Sequence, residues 1–237
     1  MNRMANKSVK ENEGATVEAI EAGLSKTELF LEKNYKVLLI VLGCIFAVAI
    51  AWLAFQYLYL APKNEEAQEK LAVAQQYIAQ QQYQVALEGD SVEFDGLVDL
   101  IDNYGITKSG KLAKAYAGLV CYRLQRYDEA VEYLKSISLD DDALKYTCPG
   151  TVGDCYVQLG QAEESIRYFK KAAEADNDLV AAVYKFKLAR VYEDLERNDE
   201  ALAVYQDLKD HYVGKARMTD LDEIDKYIER LSIKHGK

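Results

Sequence analysis

Small side chains recur at two fixed places in three stretches of this chain, and that recurrence limits the fold more than any other feature. The stretches are LAKAYAGLVCYRLQRYDEAVEYLKSI (112–137), TCPGTVGDCYVQLGQAEESIRYFKKAAE (147–174) and VYKFKLARVYEDLERNDEALAVYQDL (183–208). Gly118, Gly153 and Ala189 follow one another at 35 and 36 residues, and Ala130, Ser165 and Ala201 repeat those spacings. A helix that turns back on itself brings two such positions, twelve residues apart, to one crossing. A bulky side chain at either place would force the pair apart, at about 1–3 kcal/mol for overpacking. Leu134, Phe169 and Tyr205 lie four residues beyond the second small position. They share its helix face and fill the hairpin. Hairpins of this kind bury their faces against one another, so the pattern predicts a stack.

The rest of the chain agrees with helix. Pro62 and Pro149 are the two prolines, glycine is sparse, and Ala, Leu, Glu, Lys and Gln are abundant, a composition of good helix formers with few breakers. Eighteen Tyr against six Phe suits surfaces where a ring packs while its hydroxyl stays wet. Upstream of the repeats, Glu65–Leu87 reads as one helical stretch and Phe94–Tyr104 as another. Together they form an atypical first hairpin with a longer loop around Gly89-Asp90. Downstream, Thr219 is placed to cap a helix bearing Ile224, Tyr227, Ile228 and Leu231, which would cover the last open edge of the stack.

Val37 to Ala61 (VLLIVLGCIFAVAIAWLAFQYLYLA) carries no charge. As a helix it would be ~37 Å long against ~30 Å of hydrocarbon, enough to span with some tilt. Tyr35, Trp52, Tyr57 and Tyr59 supply rings that prefer headgroup depth. A cleaved signal peptide has a shorter apolar run near the N-terminus, whereas 36 residues precede this one. Val41-Leu42-Gly43-Cys44 loosely resembles a lipoprotein cleavage box, but Ile45-Phe46-Ala47-Val48 continues the run. A buried soluble helix is rarely this long. Lys26, Lys33 and Lys36 before the run, against Lys63 and Lys70 after it, favour a cytoplasmic N-terminus and an extracytoplasmic C-terminal part. The expected organisation is a disordered tail (1–15), an amphipathic lead-in helix (16–36) with Val17, Ile20, Leu24 and Leu31 at helical spacing, a transmembrane helix (37–61) and a repeat domain (62–237).

The net charge of -10 lies wholly beyond the apolar run. An acidic domain is repelled by nucleic acid, so no nucleic-acid partner is expected. Among Cys121, Cys148 and Cys155, two could pair in an oxidising compartment. Cys148 and Cys155 on one helix would stand ~10.5 Å apart, too far for a bridge, and buried free thiols are the expectation. There is no phosphate loop, nucleophile elbow or His/Cys metal spacing. His211 and His235 read as surface residues, and Asp140-Asp141-Asp142 as solvated turn acids. No enzyme activity, cofactor or metal is expected.

The small positions Gly118/Ala130, Gly153/Ser165 and Ala189/Ala201 resemble those of the tetratricopeptide repeat, with Tyr127, Tyr156 and Tyr192 matching its other large positions in part. The repeat's early tryptophan and closing proline are absent. The resemblance covers residues 112–208. It implies an all-α chain: a single transmembrane helix followed by an α-solenoid of tetratricopeptide-type hairpins. It also implies a protein-binding groove lined by the first helix of each pair. On the matching positions the groove takes Ala115, Leu119, Tyr122 and Arg123, then Asp154, Val157 and Gln158, then Phe186, Arg190, Glu193 and Asp194. Such a floor suits an extended or partly folded polypeptide. The lysine-rich clamp that some relatives use for a C-terminal carboxylate has no counterpart here.

ELFLEKNYK (28–36), EEAQEKLAVAQQYIAQQQYQVAL (65–87) and DNYGITKSGKLAKAYAGLVCY (102–122) also look like bacterial membrane-anchored tetratricopeptide proteins, similar to the ancillary Sec-translocon subunit (YfgM-type) family. That similarity implies an inner-membrane protein with a periplasmic repeat domain, and translocon subunits, periplasmic chaperones or client polypeptides as partners. A scaffold that assembles a different envelope complex is the alternative.

Overall fold

The computed structural model describes residues 30–31, 33–90, 94–135, 137, 141 and 144–235. The tail (1–15) and most of the lead-in segment (16–36) lie outside them. The chain divides into two compact units, Met1–Leu60 and Ala61–Lys237. In the first, the described residues of the apolar run are α-helical, with a π-helical stretch over Phe55–Leu60. Their side chains face outward: Val48 is 70% exposed and Leu58 79%. A surface of that kind is stable only against an apolar solvent or partner.

The second unit is helical throughout its regular structure, with no strand among the described residues. Its helices are α1 (Ala61–Ala79), α2 (Tyr83–Glu88), α3 (Gly96–Tyr104), α4 (Lys108–Arg123), α5 (Tyr127–Leu134), α6 (Leu144–Gln158), α7 (Ala162–Ala172), α8 (Asp178–Asp194), α9 (Asn198–Tyr212), α10 (Thr219–Asp222) and α11 (Ile224–His235). Four hairpins follow in order: α1 with α2 and α3, α4 with α5, α6 with α7, and α8 with α9. Each packs on the next.

One turn closes all four. Gln81, Gln125, Gly160 and Glu196 each sit at positive φ, between 58° and 72°. Around Gln125, Gln125 N donates to Tyr122 O at 3.0 Å and Arg126 N donates to Cys121 O at 2.9 Å. The same two bonds recur at Gln81–Gln82, Gly160–Gln161 and Glu196–Arg197. This is the left-handed helix stop in which two successive amides satisfy the last free carbonyls.

The crossings are tight. A Cβ at Gly118 would overlap the Leu134 side chain and lie 3.1 Å from Tyr133 Cβ, and one at Gly153 would come within 2.7 Å of the Phe169 ring. Ala130, Ser165, Ala189 and Ala201 are each fully buried. The Ser165 hydroxyl donates to Ala162 O at 2.6 Å, which satisfies it inside the hairpin.

The first hairpin differs from the sequence expectation. Glu65–Leu87 is not one helix: it breaks after Ala79 and turns at Gln81. Ala74 and Ala86, both fully buried and twelve residues apart, stand where Gly118 and Ala130 stand one hairpin later. The returning helix is then interrupted. Gly89 and Gly96 take φ of 89° and 93°, and Asp90 holds the break. Its carboxylate accepts from Phe94 N at 2.9 Å and from the Tyr77 hydroxyl at 3.0 Å. Downstream, the short helix α10 begins at Thr219 with Met218 in the cap position, so Thr219 does not cap the helix that bears Ile224. Asp141 accepts from Leu144 N at 2.8 Å and starts α6; Asp140 and Asp142 lie outside the described residues.

Cys121, Cys148 and Cys155 are buried free thiols, and Cys44 is exposed. Burial pushes the thiol of Cys121 up to about 11, Cys148 to about 11 and Cys155 to about 12. The unfolded chain releases these protons near pH 9, and the folded chain holds them until about 11. Folding stability therefore falls as pH rises through that window. A thiol titration is expected to find Cys121, Cys148 and Cys155 unreactive in the native protein and reactive after unfolding; early reactivity of these three would contradict this core. Gly118→Val and Ala86→Leu are each expected to cost about 1–3 kcal/mol, read from urea unfolding.

Candidate protein-binding face

The first helices of hairpins two to four, α4, α6 and α8, touch one another in sequence along the stack. Their spacing places Leu119, Tyr122 and Arg123 on α4, Asp154 and Val157 on α6, and Phe186, Arg190 and Glu193 on α8. The structure treats these residues in three ways. Arg123 and Arg190 are exposed. Leu119, Tyr122, Asp154 and Val157 are half-buried, each with part of its surface open. Phe186 and Glu193 are taken up by the C-terminal segment.

That segment fills the place a fifth hairpin would take. Tyr227 of α11 lays its ring edge-on to Phe186, with centroids 5.3 Å apart, and stacks on Tyr205 at 5.2 Å. Phe186 is only 8% exposed. Glu193 accepts from the Tyr205 hydroxyl and from Arg230 of α11, each at 2.5 Å. Burial and the Glu193 carboxylate together push the Tyr205 hydroxyl far above its ordinary range, so it stays a donor. The open part of the face is therefore carried by α4 and α6.

On that part the structure assembles a cluster that the spacing alone does not show. Lys187 of α8 reaches back across the hairpin boundary and bonds both carboxylate oxygens of Asp154, at 2.7 and 2.8 Å. Its ammonium also lies 5.4 Å from the ring centre of Tyr184. Tyr184 in turn covers Gly150, where any Cβ would overlap the ring. Burial raises the Asp154 carboxyl above its usual range, and Lys187 opposes that shift. Burial, helped by the nearby Asp154 charge, raises the Tyr122 hydroxyl above its ordinary range and holds it protonated. A lysine three residues before the repeat position equivalent to Asp154 was the available signal, but nothing in the sequence says that the neighbouring helix would bring it back.

A second hollow, of 430 Å³, opens between α7, α8 and α9. Leu188, Ala173 and Val204 line it, and Lys170, Glu174, Lys185 and Asp207 surround them. Lys185 and Asp207 are ion-paired across it. Among the described residues no group of His, Cys, Asp and Glu is placed to hold a metal ion.

Residues 150–179 match the family model for the tetratricopeptide repeat. The match opens at Gly150, inside α6, and runs through α7 into the start of α8. Two solved structures share the architecture: the nearly identical TPR-like repeats of a kinesin light chain from Podosopora anserina, and a single-substitution form of the same repeats. Each aligns with a TM-score of 0.52 at 14% identity, covering 73% of this chain and 88% of theirs. At that identity the likeness is one of fold. No curated protein matches the chain in sequence. The C-terminal unit thus has the fold of a solenoid of tetratricopeptide-type hairpins, whose stacked units present an extended surface.

Lys187→Met leaves Asp154 without its ion partner. The expected loss is on the order of 1 kcal/mol at neutral pH, reduced by the pair's partial exposure. Because the Asp154 carboxyl is already raised, the gap between variant and parent is expected to narrow as pH falls through its folded value, where a protonated carboxyl needs no cation. Urea unfolding at pH 7 and pH 4 reads this; a gap independent of pH would exclude it.

Proposed function

We propose that this chain is a membrane-anchored protein-binding module, with α4 and α6 presenting the partner-contacting residues. The observation that carries the reading is the open strip of Leu119, Tyr122, Asp154 and Val157 beside exposed Arg123, on a solenoid joined to a helix long and apolar enough to cross a membrane. An aromatic ring, aliphatic side chains and both charges within one strip fit the side chains of a polypeptide. Residues 37–61 serve as the anchor, with residues 1–36 ahead of it and the repeat domain from 62 onward.

The resemblance to ancillary Sec-translocon subunits supplies the finer reading. The anchor lies in a bacterial inner membrane with its N-terminus in the cytoplasm. The solenoid stands in the periplasm, where it meets emerging polypeptides or a chaperone. Lysines before the apolar run agree with that orientation.

Arg123→Glu is expected to weaken partner capture about tenfold, near 1.4 kcal/mol, with little change in unfolding midpoint, whereas Tyr122→Ala lowers capture and stability together because its ring packs against Tyr127. Phe186→Ala is expected to act mainly through stability, because its ring packs under α11. Photocrosslinking from the apolar run, read by mass spectrometry, then identifies the neighbour. Translocon subunits support the finer reading, and another envelope complex replaces it with a scaffold role. Modification of Leu179→Cys by an impermeant thiol reagent only after the inner membrane is broken would place the domain in the cytoplasm and end the periplasmic reading.

A further inference from the structure

The turn between α3 and α4 has an unusual balance of fixed backbone and exposed apolar side chain. Thr107 is fully buried. Its hydroxyl donates to Tyr104 O at 2.8 Å and accepts from Gly110 N at 2.9 Å, while Thr107 N also donates to Tyr104 O at 2.8 Å. Gly110 packs so closely on Tyr104 O that a Cβ there would overlap it. Tyr104 itself is buried, with its hydroxyl donating to Glu66. Within this rigid frame Ile106 is turned outward and is 57% exposed.

The frame is tied to the start of α1. Asn64 Oδ1 accepts from Ser109 N at 2.9 Å, and the Ser109 hydroxyl reaches Asn64 O at 3.4 Å. Lys63 and Lys70 lie 5.8 and 5.6 Å from the Tyr104 ring centre. Asn64 is the third residue after Ala61, the last of the uncharged run, so it lies only ~4.5 Å further along a helix. The turn is therefore bonded to residues that directly follow the apolar run in sequence. Its charge differs from that of the other inter-hairpin turns. The turn itself, residues 105–111, contains Lys108 and Lys111 and no acid, with exposed Asp102 before it on α3 and exposed Glu65 and Glu66 on α1. Lys108 and Lys111 are exposed. The turn between α7 and α8, which also exposes an apolar side chain, Leu179 at 44%, carries Glu174, Asp176 and Asp178.

From these observations we infer that the α3–α4 turn is a second membrane contact, with Ile106 inserted at the headgroup boundary and Lys108 and Lys111 set against anionic lipid phosphates. An outward aliphatic side chain flanked by lysines matches the chemistry of an interfacial lipid contact. The acidic α7–α8 turn is repelled by the same surface. The contact rests on the reading of residues 37–61 as the anchor. Held at two points, the first hairpin would keep one orientation on the bilayer and would not swing about a single tether.

The test uses the full chain with Cys44→Ser, reconstituted in phosphatidylcholine vesicles containing phosphatidylglycerol and lipids spin-labelled near the headgroup. An environment-sensitive fluorophore is placed on Ile106→Cys, on Leu179→Cys as a comparison and on Trp52→Cys as a monitor of the anchor. The expected result is quenching at position 106 at least twice that at 179, falling about twofold when Lys108→Glu and Lys111→Glu are added. Quenching at 52 with no excess at 106 over 179 overturns the contact and leaves the anchor standing. Absence of quenching at 52 by lipids labelled deep in the acyl chain overturns the anchor and the contact together.

Discussion

Close approach of paired helices is the constraint on which the C-terminal unit depends. Gly118 lies against Leu134, and Gly153 against Phe169, with no room for even one added carbon. Core side chains packed at this density cannot be enlarged without moving backbone. The left-handed stops at Gln81, Gln125, Gly160 and Glu196 serve the same end. They reverse the chain within a few residues, so the small positions on both helices meet at one height. Three of these four residues are not glycine, so the fold tolerates a disfavoured backbone state in order to keep the hairpin tight.

Charge runs between hairpins as well as within them. Arg126 bonds Glu129 in its own helix and Glu88 in the hairpin before, at 2.6 and 2.9 Å. Arg197 repeats the arrangement with Glu200 and with Glu163. Both arginines occupy the residue after the left-handed stop. Exposed pairs of this kind add little to stability singly, but they join successive turns along one edge. The Asp154–Lys187 pair does similar work at the first helices, where partial burial makes it count for more.

The architecture was legible in the sequence to the extent that it depends on side-chain size. Gly118/Ala130 and their two successors mark the crossings directly, and the apolar run needs only its length and lack of charge to be read. The first hairpin was harder. Ala74 and Ala86 keep the twelve-residue spacing, but an interruption at Gly89 lengthens the distance to the next copy, and Gln81 gives no hint of its left-handed backbone. The candidate face was legible in part. Repeat position locates Leu119, Tyr122, Asp154 and Val157. It does not reveal that Tyr227 and Arg230, more than thirty residues beyond Glu193, cover the far end of the strip. Lys187 and Tyr184 escaped notice for the same reason: their roles are set by the neighbouring hairpin.

The C-terminal segment also fixes how this array can change in length. With Tyr227 seated on Phe186 and Tyr205, the last hairpin has no free flank onto which a copy could be appended. An extra unit spliced after Tyr212 would have to displace α11 and recreate its contacts one step further along. A duplication between Arg126 and Arg197, by contrast, inherits a matching surface on both sides. Lengthening by internal gene duplication is therefore the open route, and growth at the C-terminus is closed.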